Sequence, residues 1–172
     1  ARNEQDIVKN CLESLTFADE IIVILDRSVD DTKLICKKYT KKVFSGSWNC
    51  EGERRNFGIK KCSFDWVFEI DADEIVSKSL QNEILKKKKL TNFDFFFIKL
   101  INYVGDKPLK YGWMGCMAPD GKFCMFKKES KKWLKGLVHP NYELIGNKGP
   151  VFENFIIHKM SNNISDLVKR FN

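Results

Sequence analysis

Trp66-Val67-Phe68-Glu69-Ile70-Asp71-Ala72-Asp73-Glu74 decides how this chain is read: an apolar run that ends on two carboxylates one residue apart. Strand side chains alternate in direction, so a strand carried through Asp73 points Asp71 and Asp73 to one side, where they can share a cation. A hard divalent ion held by one or two carboxylates keeps its other positions for waters and phosphate oxygens. Such an ion stabilises charge that builds on a departing diphosphate. The stretch therefore predicts metal-assisted transfer from a nucleotide-activated donor. Surface loops also carry Asp-x-Asp, so the neighbouring pattern has to support that reading.

Ahead of it, Ile7, Val8, Cys11, Leu12 and Leu15 follow Asn3-Glu4 at three- and four-residue spacing, as one buried helix face requires. Ile21-Ile22-Val23-Ile24-Leu25 is a continuous apolar run ending at Asp26, the composition of a strand covered on both faces. Ser28, Asp30, Asp31 and Thr32 offer N-cap chemistry for a second helix carrying Leu34, Ile35 and Tyr39, and a short strand, Val43-Phe44, follows. The first half thus predicts an α/β chain: a Rossmann-like open mixed sheet flanked by helices, with its ligand crevice at the carboxyl ends of the strands. Asp26, Asp71 and Asp73 fall at such ends. Beyond them, Asp94 to Tyr103, Phe123 to Phe126 and Val151 to Ile157 read as strands, and Ser165 to Phe171 as the start of a helix. Tyr111-Gly112-Trp113-Met114-Gly115 suits a sugar-stacking floor, a loop over a donor, or core packing of Trp113.

Asn3-Glu4, Cys11 to Leu15, Ala18 to Val23, Asp26, Asp30, Thr32, Arg55-Asn56-Phe57 and Asp65 through Glu74 resemble, in order and spacing, family 2 glycosyltransferases of the GT-A fold. The nearest likeness is the branch with lipopolysaccharide core glucosyltransferases. Gly112-Trp113, Pro119-Asp120, Val138-His139, Gly146, Ile157-His158 and Lys169 to Asn172 match later landmarks more loosely. The resemblance implies one glycosyltransferase domain over residues 1–172, with a nucleotide-binding half at 1–76 and an acceptor-side half at 77–172. It implies that Asp26, with Asn3 and Glu4, lines the nucleoside pocket, that Asp71 faces ribose and diphosphate, and that Arg55 is the basic residue beside them. It also implies that Asp73, with Asp71 and His158, holds Mg²⁺ or Mn²⁺. The transfer would be inverting, to a glycan or glycolipid acceptor in envelope polysaccharide or lipopolysaccharide synthesis.

An inverting transfer needs a group to take the acceptor proton. The resemblance implies a Glu directly after His139, and the chain has Pro140 there, which leaves Glu143, Asp120 and His139 itself as candidates. It likewise implies an Arg where the chain has Cys124. A nucleotidyltransferase is the alternative enzyme, and Asn3-Glu4 in place of a basic glycine-rich loop argues against it. A non-catalytic glycan or lipid-surface binding protein of the same fold is the other alternative, kept open by Pro140. Only Ala1-Arg2 precede Asn3-Glu4, where the family has an apolar strand, and the last helical pattern stops at Asn172. The chain therefore reads as a fragment at both ends, lacking its N-terminal strand.

Composition fits this reading. The six cysteines form no C-x-x-C pair and fall mostly within expected helices and strands, which points to reduced thiols, a cytoplasmic setting and no structural zinc. The net charge of +7 is uneven, with lysines at Lys86 to Lys89, Lys127-Lys128 and Lys131-Lys132. Such runs form a solvated face and suit peripheral contact with anionic lipid at the inner face of a membrane. The aromatics lie in apolar strands such as Phe95-Phe96-Phe97, not interleaved with the lysines, which argues against nucleic acid.

Overall fold

In the computed structural model, which describes residues 1–109, 121–137, 140–161, 163 and 165, the first half alternates as its apolar runs require. Helix α1 (Val8–Ser14) leads to β1 (Val23–Asp26), α2 (Thr32–Cys36) to β2 (Val43–Gly46), and α3 (Glu51–Lys61) to β3 (Trp66–Phe68). β1 and β2 pair in parallel, Val23 opposite Val43 and Asp26 opposite Gly46. Ala1 takes a place along β1, donating from its amino group to the Ile24 carbonyl at 2.8 Å and accepting from the Asp26 N–H at 3.0 Å. α2 departs from the expected apolar face: Thr32 and Cys36 are buried, whereas Leu34 is 61 % exposed.

The remaining strands form one mixed sheet. β4 (Glu74–Val76), α4 (Lys78–Lys87), β5 (Phe95–Val104), β6 (Lys107–Pro108), β7 (Gly121–Lys127) and β10 (Phe155–Ser161) complete it in the order β3-β7-β5-β10-β4, with β6 paired to β5. β10 lies parallel to β5 and antiparallel to β4, while β7 is antiparallel to both β5 and β3. A separate hairpin of β8 (Lys131–Trp133) and β9 (Tyr142–Leu144) packs beside α3. Neither β4 nor this hairpin stands out in the sequence.

The main core lies between this sheet and helices α1 and α4, where Leu80, Phe96, Ile98, Phe152 and Ile156 are closed from solvent. Ser77 caps α4 by accepting the Leu80 N–H at 3.2 Å, which lays Leu80 and Ile84 on the sheet. A second cluster, Val8, Leu12, Val23, Leu25 and Cys36, fills the space under β1 and receives Ala1 and Ala72 at its margin. That contact brings the Asp71–Asp73 connection alongside β1.

Phe96 stacks with Trp66, Phe93 and Phe152 at centroid distances of 5.6, 6.0 and 5.7 Å. Phe96→Ala is expected to lower stability by about 3–5 kcal/mol, whereas Val29→Ser, at a position 89 % exposed, stays within about 0.5 kcal/mol. Urea unfolding followed by circular dichroism measures both.

Candidate active site

β3 stops at Phe68, so the alternation expected to carry through Asp73 never reaches the acids. The Glu69 N–H makes the last bond to β7, to the Cys124 carbonyl at 2.7 Å. The chain then closes on itself: the Asp71 N–H donates to Glu74 Oε2 at 2.8 Å and the Glu74 N–H to the Asp71 carbonyl at 3.1 Å. Asp71 and Asp73 consequently take separate partners.

Asp71 is held between two cations. Its Oδ1 accepts from Arg55 Nη2 at 3.2 Å and its Oδ2 from Lys122 Nζ at 3.2 Å. Lys122 Nζ also donates to Glu74 Oε2 at 2.6 Å. Burial works against the Asp71 charge, but Lys122 and Arg55 prevail and hold its carboxyl well below the usual range. Glu74 is only 2 % exposed, and burial pushes its carboxyl up against the pull of Lys122. Burial also disfavours the Lys122 charge, and Asp71 and Glu74 more than offset it.

Arg55 is itself fixed from behind. Its guanidinium pairs with Glu51 at 2.8 Å and with Glu69, and it lies 4.8 Å from the Trp133 ring centroid. Glu69 in turn accepts from Trp133 Nε1 at 3.0 Å and Lys131 Nζ at 3.3 Å. Lys131 is 6 % exposed and sits 4.0 Å from the Trp133 ring centroid, where the aromatic face and the carboxylate together offset part of its desolvation. Burial still leaves its ammonium below the ordinary lysine value.

Asp73 belongs to a different row. The register sets His158 on β10 directly opposite Glu74 on β4 and Asn102 on β5, so the three lie in one line across the sheet. His158 Nδ1 meets Asn102 Oδ1 at 2.7 Å, and its Nε2 meets Asp73 Oδ2 at 3.0 Å. The Lys159 N–H pins the Asp73 carbonyl at 2.8 Å. With a carbonyl oxygen on one ring nitrogen and a carboxylate on the other, the ring is best satisfied as imidazolium. Burial lowers its pKa, but the hydrogen bond and charge of Asp73 outweigh that and raise it.

Asp26 closes β1 as expected, 6 % exposed, and is joined to the Asp71 group through α3. Consecutive residues of that helix reach the two acids, Arg54 lying 3.9 Å from Asp26 and Arg55 3.2 Å from Asp71. Arg27, with φ +53°, folds back on Asp26 at 3.0 and 3.1 Å, and the Trp48 N–H donates to it at 3.3 Å. Asn3 and Glu4 are tied to the turn after β1: Asn3 Oδ1 accepts the Val29 N–H at 2.9 Å, and the Glu4 N–H donates to Thr32 Oγ1 at 2.8 Å.

Of the three candidates for the base, Glu143 is exposed on β9 opposite Lys132, on the side of the hairpin away from Trp133 and Tyr142. The hairpin therefore does not bring it to the Asp71 group. Asp120 and His139, like Trp113, lie outside the described residues. Cys124 is 1 % exposed and burial pushes its thiol up to about 12, so a neutral packing residue stands where a guanidinium was expected. The cation comes from Lys122, two residues earlier. Lys122, Glu69 and Asn102 join the site with no motif to mark them; each is a single polar residue in an apolar strand context, the one signal that points to them.

A sequence model of Glycosyl transferase family 2 matches residues 1–142. The chain belongs to that family. Among named glycosyltransferases, an uncharacterized one from Rickettsia conorii is 39 % identical over 84 residues, covering 48 % of this chain and 30 % of that protein. The lipopolysaccharide core biosynthesis glycosyltransferase LpsC of Rhizobium meliloti is 30 % identical over 84 residues, covering 46 % of this chain and 31 % of LpsC. The match thus spans about a third of the length of these relatives. The fold is that of S. aureus TarS 1-349, a GT-A fold, with a TM-score of 0.62 at 16 % identity over 92 % of this chain and 58 % of TarS. TarS 1-349 in complex with UDP-GlcNAc superposes with a TM-score of 0.52 at 23 % identity over 62 % of this chain and 34 % of that one.

Among the described residues no three His, Cys, Asp or Glu side chains converge as a metal site, and Asp71 and Glu74 face cations. Asp73 and His158 do face one another. His158 is expected to titrate above the ordinary imidazole value of about 6.5. Its stabilising contribution is complete below that value and is lost as pH rises through the elevated folded pKa. Imidazole proton shifts followed against pH should show this elevation, and Asp73→Asn should bring the pKa down.

Proposed function

We propose that the chain moves a sugar from a nucleotide-sugar donor to a hydroxyl of a glycan or glycolipid, with inversion and with the help of Mg²⁺ or Mn²⁺. The observation that carries this reading is that neighbouring arginines of α3 join Asp26, at the end of β1, to Asp71, two residues before the Asp73 that pairs with His158. Open α/β sheets take ligands in the crevice outside the carboxyl ends of their strands. Asp26, Asn3 and Glu4 face the nucleoside in this account, and Asp71 and Arg55 the ribose and diphosphate.

Asp73 and His158 suit a divalent ion. A carboxylate oxygen and an imidazole nitrogen 3.0 Å apart would provide two protein ligands once the ion displaces the Nε2 proton, and Asn102 would hold the ring through Nδ1 as an outer partner of a metal-bound histidine does. An ion bound there would supply positive charge against the departing diphosphate. Arg55 and Lys122 hold the Asp71 carboxylate in place, and Glu69 holds Arg55. The acceptor proton passes to Asp120 or His139, because the hairpin turns Glu143 away from the Asp71 group.

The wider setting is read from relatives and charge. LpsC is named for lipopolysaccharide core biosynthesis, and TarS structures are described with UDP and UDP-GlcNAc, which supports a nucleotide-sugar donor and an envelope glycan acceptor. No helix of the described residues is long and apolar enough to cross a membrane. The lysine clusters suit a cytoplasmic protein held at the inner membrane face by anionic lipid.

The decisive experiment is nucleoside diphosphate release by the full chain from UDP-, GDP- and ADP-sugars, with and without Mn²⁺. Turnover is expected to need the ion and to fall by about 100-fold or more in Asp73→Ala. Metal-independent release that survives Asp73→Ala contradicts the reading. Alanine at 120, 139 and 143 identifies the base as the position whose loss removes turnover and spares donor binding.

A further inference from the structure

We propose that the Lys122 ammonium is a resident cation that keeps Asp71 and Glu74 out of the coordination of a divalent ion, confining that ion to Asp73 and His158. The assignment of Asp73 and His158 rests on the function proposed above; the role of Lys122 rests on its own geometry.

Asp71, Asp73 and Glu74 fall within four consecutive residues on a turn closed by its own hydrogen bonds. Three carboxylates so close would ordinarily attract a hard cation, whose affinity grows with ligand charge. Here two of them are already committed. Asp71 has Oδ1 on Arg55 and Oδ2 on Lys122, while Glu74 Oε2 accepts both Lys122 and the Asp71 N–H. A lysine ammonium is a compact point charge with several donors, so it can satisfy two carboxylates at once as a metal would. A divalent ion seeking either acid must first displace it.

The fold holds Lys122 there. β7 is pressed against β5 at this point: a Cβ at Gly121 would meet the Ile98 carbonyl oxygen at 2.4 Å and the Phe97 ring at 2.5 Å. The register sets Lys122 opposite Ile98, an interior residue with no exposure. With its stem in that position, the ammonium lies between the two acids. Asp73 is paired with His158, whose Nε2 proton a divalent ion would replace, and such an ion would leave its other positions for donor phosphate oxygens and water.

The test is Mn²⁺ binding to the nucleotide-free full chain, measured by electron paramagnetic resonance or calorimetry. Lys122→Met, which keeps the stem and removes the charge, should bind Mn²⁺ about tenfold or more tightly than the parent, and adding Glu74→Gln should cancel the gain. Lys122→Arg should match the parent. Asp71→Asn should leave the parent affinity within about twofold, because the proposal gives Asp71 no part in the ion site before donor arrives. A folded Lys122→Met with unchanged or weaker Mn²⁺ binding overturns the proposal, and so does a loss in Asp71→Asn as large as that in Asp73→Asn. If Lys122→Met does not fold, the Asp71→Asn comparison decides. Retained Mn²⁺ binding in Asp73→Asn contradicts the placing of the ion at Asp73 and His158, whereas a Lys122→Met gain cancelled by Glu74→Gln still shows that Lys122 excludes the ion from Glu74.

Discussion

The clamp on Asp71, with Arg55 of α3 on one carboxylate oxygen and Lys122 of β7 on the other, is the contact on which the site depends. It ties the helix layer to the sheet at the point where β3 has ended and the backbone has left its ladder. Ion pairs in such partly buried places gain little net stability when made and cost a great deal when one partner is removed. The clamp therefore specifies position more than it adds stability. Its reach is long because Arg55 also answers to Glu51 and Glu69, and Glu69 to Lys131 and Trp133 of the outer hairpin.

The second element is the transverse row of Glu74, His158 and Asn102 on three adjacent strands. Strand register decides which side chains stand side by side, and a one-residue slip would turn each to the other face. Glu74 joins the row to the clamp: its backbone continues the sheet while its carboxylate closes the Asp71 turn and meets Lys122. Asp73, carried by the same turn, is thereby set against His158. Local turn geometry and sheet register together give the two acids their separate partners.

The α/β alternation through β3 is legible in the sequence because strands buried on both faces must be continuous apolar runs, and Ile21 to Leu25 is one. Arg55 and His158 are legible through resemblance, and the structure brings both to the acids. The β8–β9 hairpin is not, because Lys131-Lys132-Trp133 and Tyr142-Glu143-Leu144 are short and charged. The burial of Lys131 among them is stabilised by Glu69 and by the Trp133 ring, which only the fold brings near. Asp71 and Asp73 take separate partners for a physical reason: alternation holds only while the ladder does, and Glu74 captures the Asp71 amide after the ladder has ended. Lys122 escapes notice because a lone lysine in an apolar strand reads as solvated until its partners are seen.

A double-mutant cycle on unfolding free energy, with Arg55→Met, Asp71→Asn and both together, tests the clamp most directly. The account predicts a coupling of about 1–3 kcal/mol between the two positions. Additivity within about 0.3 kcal/mol would mean that the two side chains do not interact, and the account of how Asp71 is placed would be wrong.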